Sequence, residues 1–446
     1  MTRRVLVTLA VASVSIGPAA AQSDGGRPCA IVWDSMPPTS HAVSQITASG
    51  KYTTWFGGGF RARCSGTHML VTSDSAEHSP DARVLTLYGN AHFVEDSASI
   101  DADMIRYTEL DARIAAEGHV RVRARTGSTL TTERLWYYRP LPPTRPYTMA
   151  ETFERAHLVL RDSVPAADST IIDADRLHMR QDSLFYAGGK VIITRPDMTA
   201  TADSVEMDSG RNRARLSGGA PRIEGRGGKK FSVEGTILHV FGRARGVDRL
   251  VAQGKAVAVS DSLRLSADTL DINTTGTQID HVIAWGPGRA HATSADRDIV
   301  ASRIELNVPG GKLRDIIATG KARADTKPDS GVRGGERDWI EGDTIVATFD
   351  LTAKVDSGNQ PPLRIMIARG NARSLYQIAP KNAADTMATI NYVAGNRIEV
   401  AFIRGDVKDV RVTGQVQGLN LTPVRKDTTA TSFMPPHAPR TAGRRR

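Results

Sequence analysis

Apolar and polar residues alternate with period two along most of this chain, and no stretch carries a convincing helical stripe. Arg264 to Ile272, Val282 to Ala284, Ile304 to Val308 and Ile365 to Ala368 all read as strands. The alternation slips by one residue at regular places. Leu263, Leu265 and Ala267 share one phase, whereas Asp268, Leu270 and Ile272 follow the other. The same slip separates Ala98, Ile100, Ala102 from Asp103, Ile105, Tyr107, and Phe231, Val233, Gly235 from Thr236, Leu238, Val240. Side chains of a strand alternate between faces, so an unbroken strand of this kind would send half its apolar residues into water. A bulge or corner at the slip keeps them on one face.

Two recurring signatures accompany the slips. The first is apolar-x-Gly-x-Ala/Val, centred on Gly89, Gly118, Gly189, Gly218, Gly254, Gly320, Gly370 and Gly414, with a variant ending in Gly at Gly286. From Gly189 to Gly320 its steps are 29, 36, 32 and 34 residues. The second is Ala-Asp-x-apolar-x-apolar, at Ala102-Asp103, Ala174-Asp175, Ala202-Asp203 and Ala267-Asp268, with weaker copies at Ser302, Asp343 and Asn396. The small residue gives room for a bend. The Asp, Ser or Asn supplies a hydrogen-bonding group where the ladder is interrupted. The recurring glycine suits a second tight bend or a bulge. Each repeat is therefore expected to be two short strands meeting at a corner. Stacked repeats then share one apolar face, because a single repeat of this length cannot bury its own.

The chain is long enough for two or three ordinary domains or one repeat array, and its low aromatic content of 5% with 40 glycines favours a thin, strand-rich array. Residues 1–21 read as a secretory signal: Arg3 and Arg4, an apolar run from Val5 to Ile16, and the small residues Ala19 to Ala21 before Gln22. No other apolar run is long enough for a membrane helix. Cys29 lacks the preceding residues of an acylation site, so a soluble, exported chain is expected. Within it, 22–140 forms a first β module, 141–170 a connecting segment marked by Pro140 to Pro146, and 171–423 a second array. That array carries a Gly- and charge-rich insertion near 325–337, and 424–446 is a disordered basic tail ending in Arg444 to Arg446.

The formal net charge is +10, two of it from Arg3 and Arg4. Export and the lack of a basic–aromatic stacking motif exclude nucleic acid and leave a solvated surface or an anionic lipid head group. The two cysteines, Cys29 and Cys64, are expected to pair in an oxidising compartment, since no further ligands stand at metal-site spacing. The repeated aspartates lack the compact oxygen-rich loop that calcium needs and are replaced by Ser302, Thr236 and Asn396 in other copies, which points to corner capping. No single carboxylate pair stands out as a hydrolase would require. Gly57 to Gly59 and Gly227-Gly228-Lys229-Lys230 lead into no helix and read as turns. His92, His119 and His178 form no catalytic constellation. No enzyme, cofactor or metal is expected.

The run Leu87-Tyr-Gly-Asn-Ala-His-Phe-Val, then Ile100-Asp-Ala-Asp-Met-Ile-Arg-Tyr, Ala116-Glu-Gly-His-Val-Arg-Val and Leu135-Trp-Tyr-Tyr resembles the OstA-like (organic solvent tolerance-like) family. That family includes the periplasmic lipopolysaccharide-bridge protein and the soluble N-terminal domain of the outer-membrane translocon. The resemblance covers 57–138 well and about 170–420 more loosely. It implies an all-β, elongated, open β-jellyroll whose interior holds acyl chains, in the periplasm. Implied partners are lipopolysaccharide or a related glycolipid, other domains of the same fold, and head-to-tail copies of the chain. The chain is longer than a single-module bridge and lacks the residues for a large C-terminal barrel. Candidate groove residues are Leu87, Ile100, Ile105, Val120, Val122, Leu177, Met179, Val205, Met207, Leu238, Leu265, Leu270 and Ile272. The alternative is a non-catalytic envelope scaffold or adhesin in which these residues fill a closed β-solenoid core.

Overall fold

A computed structural model describes residues 31–422, except 35, 66–67, 162–168, 182, 227–230, 243–246, 261–262, 276–277, 327–336, 354–360, 379–387 and 404–405. The expected signal segment, Cys29, most of the expected insertion and the basic C-terminal stretch therefore lie outside the described residues. The fold is all-β: thirty strands and one short 3-10 turn at Pro309–Gly311, with no α-helix among the described residues. No helix among them is long and apolar enough to cross a membrane. Two compact units divide the chain, the first ending at Gln253 and the second starting at Gly254.

In the first unit, Val84–Val94, Ala98–Thr108, Arg113–Ala124 and Thr129–Tyr138 pair in succession as an antiparallel meander. Beyond it the long strands give way to shorter ones that continue the same two halves. Met149–Thr152 and Ala156–Leu160 pair side by side with Thr129–Tyr138, and pass the pairing on to Arg176–Arg180 and Thr170–Ala174. The connecting segment expected over 141–170 thus contributes two strands to the sheet. The proline-rich stretch interrupts pairing only locally, and the boundary between compact units falls inside the strand Arg249–Ser260 instead. In the second unit, Arg264–Thr275, Gln278–Thr293, Arg297–Asn307, Asp315–Thr326, Asp338–Phe349, Leu363–Ile378 and Thr389–Ile403 form a further antiparallel meander.

The phase slips are β-bulges, and the two signatures are opposite sides of one bulge. Leu87 pairs with Ile105 and Ala91 with Ala102, and the register shifts between them. Gly89 and Asn90 then stand opposite Asp103 alone, and buried apolar residues stay on one face of both strands. The glycine and its successor are both left-handed, with φ of 71° at Gly89 and 46° at Asn90, 77° at Gly118 and 48° at His119, 84° at Gly320 and 50° at Lys321. Glycine enters that region without penalty; the second residue needs support. Support comes from the Asp of the preceding strand. Asn90 Nδ2 donates to Asp74 Oδ2 at 2.8 Å, and Asn371 Nδ2 to Asp343 Oδ2 at 3.3 Å. The amides of Asp74, Asp175, Asp203 and Asn396 donate to the carbonyls of Gly89, Gly189, Gly218 and Gly414. The glycine signature is therefore a bulge, and it meets the Asp signature at the same place, so Ala98–Thr108 runs through as a single strand and not as two strands joined at a corner. At Gly286, Pro287 interrupts the motif. The register shift widens to Trp285–Ala290, and Asp268 accepts the Gly288 amide at 2.6 Å.

Candidate functional site: the apolar interior and its mouth

At the bulges the sheet bends, and in the stretch 84–139 and around Leu263–Met366 side chains from the two halves of the long strands meet. The Phe93 ring, from one half, lies 6.5 Å from the Tyr137 ring of the other. Alanines cluster at the bulges: Ala91, Ala102, Ala116, Ala290, Ala301, Ala322 and Ala372 are all buried. Larger side chains, such as Leu85, Phe93, Ile100 and Ile114, fill the space further out. A small-then-large gradient of this kind is what a wedge-shaped interior requires.

All thirteen candidate groove residues belong to the inward-facing alternation. Leu87, Ile100, Ile105, Val120, Leu177, Val205, Leu238, Leu265, Leu270 and Ile272 are buried, while Val122, Met179 and Met207 are half-buried. Ten are thus enclosed by neighbouring side chains, and solvent reaches the inner face mainly towards the strand ends, at Val122, Met179 and Met207. Cys64 is buried on the strand Phe60–Cys64 and disulfide-bonded, and the chain's other cysteine is Cys29.

Between residues 84 and 139 the mouth of the wedge is latched. Tyr137 Oη donates to Glu95 Oε1 at 2.5 Å and lies 3.2 Å from Ser97 Oγ; Arg139 Nε donates to Glu95 Oε2 at 2.8 Å. Glu95 and Ser97 sit on the turn of one half and Tyr137 and Arg139 at the strand end of the other. Glu95 and Arg139 are only 12% and 19% exposed, so their attraction is weakly screened. Burial, with Glu95 alongside, pushes the Tyr137 hydroxyl far above its usual range, and burial likewise raises Tyr107 beneath it. Burial opposes the charge on Arg139, but Glu95 and Tyr107 outweigh it and raise its pKa.

In the second unit the facing halves meet around a small cavity. It has a volume of about 30 Å³ and lies between Leu263, Ala292 and Ile299 of one half and Ile316, Ala347 and Met366 of the other. Its lining is mostly apolar, with Ser294 and Arg297 at one side, and it is far smaller than a typical small-molecule site of roughly 300–1,000 Å³.

On the outward face, histidines pair with carboxylates across strands: His92 with Asp101 at 2.6 Å, His119 with Asp103 at 2.8 Å, His157 with Asp173 at 2.8 Å, His178 with Glu151 at 3.0 Å. No cluster of three or more metal-ligating side chains occurs among the described residues. The repeated aspartates are placed against their bulges. Sequence reading missed Asp74, which faces Gly89, although the slip from Val71 and Ser73 to Ala76 marks it. It also missed the latch, whose members lie 42 and 44 residues apart.

No protein-family model and no curated protein sequence matches the chain.

Proposed function

We propose that the chain is a periplasmic carrier that takes the acyl chains of lipopolysaccharide or a related glycolipid between its half-sheets and passes them towards the outer membrane. One observation carries this reading. In both units the inward face stays apolar through the bulges, so successive repeats offer a lipid the same environment. Burying an acyl chain of about a dozen carbons gains on the order of 10 kcal/mol at ~0.8 kcal/mol per CH₂. That term needs no specific polar contact and no catalysis. The enclosed residues require the halves to part as lipid enters, and Met179, Met207 and Met366 line the regions where they would. Methionine adapts its shape readily to a changing partner. The OstA-like run of residues 87–138 supports the same reading.

A second reading, an envelope scaffold with a filled core, is favoured by the ten enclosed groove residues and the small cavity of the second unit. Photocrosslinkers at Met207 and Val122, on the inner face, and at Arg121, on the outer, separate the two in cells. Lipid captured from the inner positions and not from Arg121 supports the carrier; no capture from either inner position supports the scaffold.

Strand pairing with partner domains belongs to the proposal. His41–Ile46 pairs only with Tyr52–Gly57 among the described residues, and Gln417–Leu421 only with Thr389–Ile403. Both present large exposed apolar side chains, Val43 and Ile46 on one and Leu419 and Leu421 on the other. An open edge of this kind is a template for a further strand. Mass rising with concentration in light scattering is the expected result.

A further inference from the structure

A cleft of about 320 Å³ opens at the strand ends of the first unit, lined mainly by outward side chains and reached from the inner face only by Phe185, Met207 and Ala214. It is built on two cross-strand rows over four strands, Leu184–Thr194, Met198–Asp208, Arg213–Ser217 and Ile237–Phe241. One row reads Leu184, Asp208, Arg213, Phe241; the next reads Tyr186, Glu206, Arg215, His239. Two acids and two arginines therefore form the floor, and Leu184 and Tyr186 stand along one side with His239 and Phe241 along the other.

The walls are braced. His178, bonded to Glu151 at 3.0 Å, packs edge-on against Tyr186 at 5.9 Å. His239 and Phe241 stack at 6.5 Å, and Arg249 lies over Phe241 at 5.8 Å. Tyr186 still leaves 48% of its surface exposed. The floor is paired loosely between side chains: Arg215 Nη1 is 3.5 Å from Glu206 Oε1, and Arg213 Nη2 and Arg211 Nε are 3.9 Å and 3.8 Å from Asp208 Oδ2, while Asp208 Oδ1 accepts the Arg211 amide at 3.0 Å. These separations leave donors and acceptors able to bond a third group placed between them.

The charge pattern selects the ligand. An acyl chain over this floor would strip water from four charged groups and replace none of their bonds. A polyanion would meet Glu206 and Asp208. A neutral sugar meets both demands: its C–H faces lie flat on aromatic rings, and each hydroxyl accepts from an arginine while donating to a carboxylate. We propose that this outer cleft is a binding site for a neutral saccharide, about one or two rings long. The proposal goes beyond the lipid reading and does not depend on it.

Saturation-transfer NMR on the full chain with maltose, cellobiose and chitobiose tests it. Transfer to ring C–H protons of at least one disaccharide is expected. Tyr186→Ala and Phe241→Ala should each weaken that binding by about three- to tenfold, whereas Val122→Ala on the inner face should leave it unchanged. Tyr186→Leu, which keeps apolar bulk and removes the ring, serves if an alanine variant fails to fold. Absence of transfer from all three disaccharides overturns the site, as does binding that survives both ring substitutions with the fold retained.

Discussion

Between residues 84 and 139 the facing halves of the bent sheet are fastened by Glu95, Tyr137, Arg139 and Ser97, while in the second unit Leu263, Ile299, Ile316 and Met366 meet across a small, mostly apolar cavity. The polar fastening fixes one spacing, because hydrogen bonds to a charged group tolerate little change in distance or angle. The apolar contact fixes only a volume, and side chains can repack around a guest. On the carrier reading, lipid enters where the mouth is apolar, and the latched stretch keeps the first module in shape.

The largest expected effect comes from removing the centre of the latch. Glu95→Ala leaves Arg139 without its carboxylate and Tyr137 without its acceptor, both at low exposure. Losing one member of such a pair costs about 3–5 kcal/mol. Urea titration with peptide-resolved hydrogen exchange should show this loss in peptides from 84–139 and not in those of the second unit. A loss under about 1 kcal/mol would mean that apolar packing, not the latch, holds this mouth shut. The matching change in the second unit is Met366→Ala. It should cost about 2–3 kcal/mol from lost burial and a larger cavity, and on the carrier reading it should raise uptake of a fluorescent fatty acid. Destabilisation without any gain in uptake would remove the slot from the lipid path.

A smaller effect is expected at the bulges that both regions share. A Cβ on Gly89 would sit 2.5 Å from Asp74 Oδ2, on a backbone with φ of 71°. Gly89→Ala should therefore cost about 1–3 kcal/mol. Gly188, the residue before the left-handed Gly189, has open space around its Cβ position and should tolerate alanine far better. Equal losses at Gly89 and Gly188 would show that the left-handed pair is not what sets the bend.

The inward face was legible in the sequence because a bulge leaves a one-residue slip in phase, and because the first left-handed position calls for glycine at almost every copy. Which Asp faces which glycine was not legible. The separation is 15 residues for Asp74–Gly89 but 27 for Asp343–Gly370, since loops of different length intervene. The signatures therefore looked like a corner and a second bend or bulge in series. The latch and the outer cleft were hidden for a related reason. Glu95 meets Tyr137 only after the sheet bends, and the cleft's floor and walls come from four strands whose register no local pattern specifies.

The smallest effect sharpens the comparison between bulge and core, and it is one of pH. His119 occupies the second left-handed position of its bulge, with Nδ1 2.8 Å from Asp103 Oδ2. The bond to Asp103, then the charges of Asp103 and Glu133, raise its pKa above the ordinary 6.5. His78, edge-on to Trp33 at 5.2 Å, moves the other way: burial lowers its pKa, against an opposing pull from Glu109. For His119 the folded value lies above the unfolded one. Its contribution to stability is therefore fully present below about pH 6.5 and is lost as pH rises through the folded value. For His78 the sign reverses, and protonation as pH falls below 6.5 favours the unfolded chain. NMR titration of the imidazole C–H signals should place the His119 midpoint above 6.5 and that of His78 below it. Asp103→Asn should bring His119 back towards 6.5 and leave His78 unmoved. If His119 kept its raised midpoint in that variant, the aspartate would not be what braces the second residue of the bulge, and the pairing of the two signatures would lose its physical basis.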